Sequence, residues 1–128
     1  MISHLMVGTN DMGKARAFYD AALGALGIPA SNPAIPVAAY RVEGAPSFVV
    51  VKPRDGEPAT HANGGTIGFV GKTTAEVDAF HAAGLANGGT CEGLPGIREN
   101  SPGKLYLAYL RDPDGNKICA AAPNPNAT

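Results

Sequence analysis

The sequence predicts an α+β domain, a mixed or antiparallel sheet with helices on its outer face. Three observations carry that expectation. A strand-like run followed by a helical period occurs in each half, from Ile2 to Leu26 and again from Thr66 to Leu85. The second half echoes the first: laying His4 on Thr66 also lays Ala17 on Ala79, Phe18 on Phe80, Ala21 on Ala83 and Leu23 on Leu85, along the buried face of each helix. A strong turn, Arg111-Asp112-Pro113-Asp114-Gly115-Asn116, then separates two strand-like runs near the end.

Ile2 to Val7 is short, apolar and reads as a strand. Gly8-Thr9-Asn10-Asp11 follows, with side chains that accept hydrogen bonds from the free N–H groups of a first helical turn. From Asp11 to Leu26, apolar residues recur at Met12, Ala15, Phe18, Tyr19, Ala22, Leu23 and Leu26, the spacing of an amphipathic helix. Gly24 and Gly27 end it, and Pro29 opposes continuation. A turn-rich connector at 30–36 leads to two strands, Val37 to Glu43 and Ser47 to Lys52, joined across Gly44-Ala45-Pro46. Thr66 to Val70 opens the second half, and Thr73 with Glu76 forms a capping box for a helix that Asn87-Gly88-Gly89 closes. Gly93 to Gly103 is expected as a long loop, and Tyr106 to Leu110 and Lys117 to Ala122 as a hairpin. In its turn Pro113 presets φ, Asp112 bonds the backbone ahead and Gly115 accepts a positive φ. The chain thus divides into one domain, 1–128: module one at about 1–53, a connector at 54–64, module two at about 65–122 and a flexible tail at 123–128. A ferredoxin-like βαββαβ arrangement shares the alternation but does not account for the strands after the second helix.

At 128 residues the chain can bury about two-thirds of its unfolded surface without a disulfide or structural metal. The formal net charge is -1 and the Lys and Arg residues are scattered, so neither nucleic acid nor an anionic membrane is an expected partner. Cys91 and Cys119 lack the spacing of a zinc ribbon or a disulfide framework and are expected as reduced thiols. The N-terminus shows no signal-peptide pattern and no apolar run approaches the ~20 residues of a membrane span, so a cytoplasmic location is expected. No Gly-rich phosphate loop, HExxH run or nucleophile elbow occurs.

Three stretches resemble the vicinal oxygen chelate superfamily, the glyoxalase, bleomycin-resistance and extradiol-dioxygenase group. They are Ile2 to Val7 with Ala15-Arg16-Ala17-Phe18-Tyr19-Asp20, Gly64 to Val70 with Val77 to Gly84, and the closing Leu110 to Ile118 hairpin. The resemblance implies paired βαβββ modules forming a curled mixed sheet with a cup, helices on the outside, and a homodimer. Members usually hold a divalent metal (Zn, Ni, Fe or Mn) in the cup, where it acts as a Lewis acid on adjacent substrate oxygens.

Carried over residue by residue, the opening His matches His4, and a neutral imidazole is a good ligand. The second His falls at Thr66, a poor ligand; His61 lies five residues upstream, in a loop. The terminal Glu falls at Cys119, which can ligate zinc as a thiolate or serve as a small buried apolar residue. The last strand of module one, Ser47 to Val51, offers no carboxylate. Most family ligands are therefore absent, and no bound metal is the favoured expectation. A ligand cup is expected around His4, Thr66 and Cys119, with Arg98 meeting an anion and Tyr106 or Tyr109 forming an aromatic wall. The leading reading is a protein that binds a small organic molecule. The rival is a metal-dependent lyase, isomerase or dioxygenase of the same group.

Overall fold

The computed structural model describes residues 1–126; the last two residues of the expected tail lie outside the described residues. In chain order the elements are β1 (His4–Gly8), α1 (Met12–Gly24), β2 (Ala38–Tyr40), β3 (Ser47–Val51), β4 (Ile67–Val70), α2 (Thr74–Ala86), β5 (Thr90–Ile97), β6 (Tyr106–Arg111) and β7 (Lys117–Ala122). No helix is long and apolar enough to cross a membrane among the described residues.

The strands form two mixed sheets that do not close on each other. Sheet A runs β1-β3-β2, with β1 parallel to β3 and β2 antiparallel to it. Sheet B runs β4-β7-β6-β5, with β4 parallel to β7 and the rest antiparallel. Module two is thus a full βαβββ unit. Module one is one strand shorter, because the segment between α1 and β2 is held by a side chain. The Arg16 guanidinium donates to the Ser31 hydroxyl and to the carbonyls of Asn32, Ile35 and Val37. Those carbonyls find their donors in one fork of N–H groups rather than in a neighbouring strand. In module two the structure overturns part of one sequence expectation: the stretch from Gly93 to Ile97 belongs to β5, with register shifts about Gly93 and Gly96, not to a loop. Two glycines and a proline between Thr90 and Ile97 hide its strand character.

Both helices begin as their caps dictate. The Asp11 carboxylate accepts from the Lys14 N–H, and the Thr73 hydroxyl accepts from the Glu76 N–H. Glu76 reaches back to the Lys72 N–H, one residue before the cap. Helix α1 packs on sheet A and on α2, and α2 packs on sheet B. Phe18, Tyr19, Phe48, Phe80, Leu110 and Ile118 therefore join one core. Gly84 permits the close approach of α2: a Cβ there would collide with Leu110 Cδ1 and lie 3.2 Å from Phe18.

The closing turn ties the modules together. Asp112, 4% exposed, accepts the Tyr19 hydroxyl of α1 at 2.6 Å. It also accepts the N–H groups of Asp114 and Asn116 and the Asn116 side-chain amide. That amide donates again to the Gly8 carbonyl at the end of β1, and Asp114 accepts the Asn10 N–H.

Candidate functional site

Strand alternation sorts the expected site residues by face. In β1, Leu5 and Val7 pack against the core, so His4 and Met6 stand on the face away from the helices, the open face. In β7, Ile118, Ala120 and Ala122 are core residues, so Lys117, Cys119 and Ala121 take the open face. In β6, Ala108 and Leu110 face the helices, so Leu107, Tyr109 and Arg111 share the open face with Cys119. Tyr106 falls on the helix face instead, where its hydroxyl donates to Asp78 at 2.6 Å. Tyr109 lies three positions on, an odd step along a strand, so the two rings cannot share a wall.

On the open face of sheet B the side chains converge. Tyr109 lies opposite Cys119 in register, and Arg111 opposite Lys117. The Lys117 ammonium sits 5.1 Å from the Tyr109 ring centroid and the Arg98 guanidinium 5.6 Å from it. Cation–π attraction at such distances contributes about 0.5–1 kcal/mol each when exposed. Arg98 is fixed in place, donating to the carbonyls of Leu94 at 2.7 Å and Gly96 at 3.1 Å. Gly93 leaves room for it: a Cβ there would lie 3.0 Å from the guanidinium and 3.2 Å from Tyr109. Arg111 is paired with Glu92 at 3.0 Å, and the guanidinium holds that carboxyl below its usual pKa. Arg98 and Lys117 form no ion pair among the described residues. Two cations thus lie against one aromatic ring outside any ion pair, with Glu92 acting on Lys117 through its charge alone.

Cys119 lies at the floor of this cluster, 6% exposed. A Cβ on Gly68 would stand 3.2 Å from its Sγ, so Gly68 gives the sulfur its space. Burial raises the thiol pKa, against a weaker opposing pull from Lys117. Burial thus favours the neutral thiol, whereas a metal takes a thiolate. His4 is exposed, and its Nδ1 lies 2.7 Å from the Ser3 hydroxyl. Thr66 is exposed just before β4, and His61 is exposed in the connector beside Gly115. No group of three or more His, Cys, Asp or Glu side chains able to hold a metal occurs among the described residues. The donor set among the described residues of one chain does not fit the family's divalent ion.

The principal cavities among the described residues are lined by none of His4, Thr66 and Cys119. An apolar cleft of about 320 Å³ lies between the modules on their helix faces, lined by Leu5, Tyr40, Phe48, Ile67 and Phe69. Sequence reasoning missed Lys117, placed there only as the start of the last strand. The signal lay in its period-two spacing from Cys119, which puts both on one face.

The sequence model of the Glyoxalase/Bleomycin resistance protein/Dioxygenase superfamily matches residues 1–120. The chain belongs to this superfamily. Among solved structures, the chain is similar to a glyoxalase/bleomycin resistance protein from Albidiferax ferrireducens T118, at 52% identity and a TM-score of 0.87, over 97% of this chain and 99% of that one. It shares its fold with a glyoxalase-related enzyme from Fulvimarina pelagi, at 19% identity and a TM-score of 0.72, over 98% and 88% of the two chains. A lactoylglutathione lyase from Agrobacterium tumefaciens shares the fold at 23% identity and a TM-score of 0.61, over 95% and 92%. No curated protein matches the chain. The paired modules expected from the sequence are those of the glyoxalase superfamily, with module one a strand shorter.

Proposed function

We propose that this glyoxalase-superfamily protein binds a small aromatic or oxygen-rich anion on the open face of sheet B, without a metal. The observation that carries the reading is a pair of cations outside any ion pair among the described residues, Arg98 and Lys117, against the Tyr109 ring. Arg98 would meet a carboxylate with its planar fork, Lys117 would add a point charge, and the ring would stack on the apolar body. Two copies pair so that the open face of sheet A in one, carrying His4 and Met6, roofs the open face of sheet B in the other. Exposed apolar side chains on these faces, Met6 at 54% and Val70 at 80%, support such a partner.

The test is titration calorimetry of chelator-treated protein with benzoate and salicylate, repeated on Arg98→Gln and Lys117→Gln. Binding is expected in the native protein, weakened about tenfold by each substitution, the size of one charge-assisted contact. Binding that ignores both substitutions but fails in Phe69→Trp moves the ligand to the inter-module cleft and refutes the site. The rival reading, a divalent-metal-dependent lyase, isomerase or dioxygenase, predicts near-stoichiometric Ni, Zn, Fe or Mn in protein purified without chelators, lost in His4→Ala.

A further inference from the structure

One pairing belongs neither to the open face nor to the core. His81 sits on α2 with 5% exposure, and its Nε2 lies 3.2 Å from Sγ of Cys91. Cys91 is the second residue of the edge strand β5, and its thiol is exposed. It stands opposite the helix-face residue Leu110 in register, so it leans toward α2 and away from Arg98 and Tyr109. Asp78 lies one turn before His81 on the same helix and acts on the imidazole through its charge. Asp78 is held in turn by the Tyr106 hydroxyl at 2.6 Å. A thiol within hydrogen-bond reach of a buried imidazole is the arrangement that activates it, and the Asp78 charge favours the imidazolium that forms. Leu85, one turn beyond His81 and 43% exposed, adds an apolar surface nearby.

We propose that Cys91 is a nucleophilic thiol, with His81 as its proton acceptor, that undergoes exchange with small disulfides. With its own proton on Nδ1, His81 presents the Nε2 lone pair to the thiol. The Cys91 proton passes to Nε2 while Sγ attacks one sulfur of the disulfide R–S–S–R. The R–S–S–R bond breaks, Cys91 keeps one RS group as a mixed disulfide, and the departing thiolate takes the proton from His81 and leaves as RSH. The small disulfide is the oxidant, and nothing else is consumed. Cys119 is the internal control, since it is 6% exposed and lacks an imidazole partner.

The experiment is reaction of the full chain with dithiobis(nitrobenzoate) at pH 7, followed by release of the coloured thiolate and by peptide mapping. One rapid label is expected at Cys91, about tenfold faster than N-acetylcysteine under the same conditions. Cys91→Ser should abolish it, His81→Gln should reduce it to the free-thiol rate, and Asp78→Asn should slow it by a smaller factor. Glutathione disulfide should leave a single adduct at Cys91, seen by intact mass. A native rate no faster than N-acetylcysteine, or a rapid label at Cys119 instead, overturns the assignment. So does an unchanged rate in folded His81→Gln. Where that variant fails to fold by circular dichroism, an unchanged rate in Asp78→Asn overturns it.

Discussion

Asp112 shows how one residue can be read correctly as chemistry and too narrowly as structure. The sequence places it in a turn, where its carboxylate bonds the backbone ahead, and it does so through Asp114 and Asn116. Its second oxygen takes the Tyr19 hydroxyl, 93 positions away in the chain, and the Asn116 amide that also ties down Gly8. Period and turn chemistry are local, so this cross-module clamp leaves no mark in the sequence. Asp112→Ala is expected to cost about 3 kcal/mol in urea unfolding, because it strands a buried hydroxyl and a buried amide. Titration makes a second residue-scale prediction. Burial lowers the His81 pKa, with Asp78 opposing, so the unfolded chain binds a proton that the folded one refuses. Stability should therefore fall as pH drops below about 6.5, the ordinary imidazole value. Burial raises the Cys119 pKa, so its contribution is full below the ordinary thiol value and is lost as pH rises above about 8.5. Unfolding midpoints measured across pH should show His81→Gln flattening the acid limb and Cys119→Ala the alkaline one.

Elements with a clear period were legible, and elements held by a distant group were not. Both helices, the closing hairpin and the opening strands of each module follow from apolar spacing and caps, within a few residues of their observed ends. Strand β5 was hidden by Gly93, Pro95 and Gly96, the residues that let it bulge and carry Arg98 back across itself. The Arg16 fork replaces a strand in module one, and no local pattern announces that a helix side chain will satisfy three loop carbonyls. Gly84 lies in the helical period yet matters for what it lacks. Gly84→Val places branched carbons against Leu110 and Phe18. Overpacking of a filled core costs about 1–3 kcal/mol, which outweighs any gain in helix propensity over glycine. A lower thermal midpoint with an unchanged circular dichroism spectrum would report strain at the helix contact, whereas an unchanged midpoint would contradict it.

At the scale of the molecule, the two helices direct the modules' apolar faces into one core and leave each sheet with an open face. Sequence comparison of the halves found the repeat, but of the matched helix positions only Phe18 and Phe80 are buried in both; Ala17 and Ala79 are exposed and Leu85 is 43% exposed. It could not say which faces meet, since that depends on how the modules turn about α1 and α2. The ring and two cations on sheet B form a floor, and His4 and Met6 belong to the other module. Under the proposed pairing the site is a joint product of two chains, so assembly and binding should fail together. Met6→Glu tests this without touching Arg98, Lys117 or the core, because Met6 is 54% exposed in the single chain. Burying an unpaired carboxylate in the contact should shift sedimentation from dimer to monomer while leaving thermal unfolding at high dilution unchanged. Benzoate affinity should fall with the dimer fraction. Native protein that sediments as a monomer and still binds benzoate would place the whole site on one chain and remove the roof.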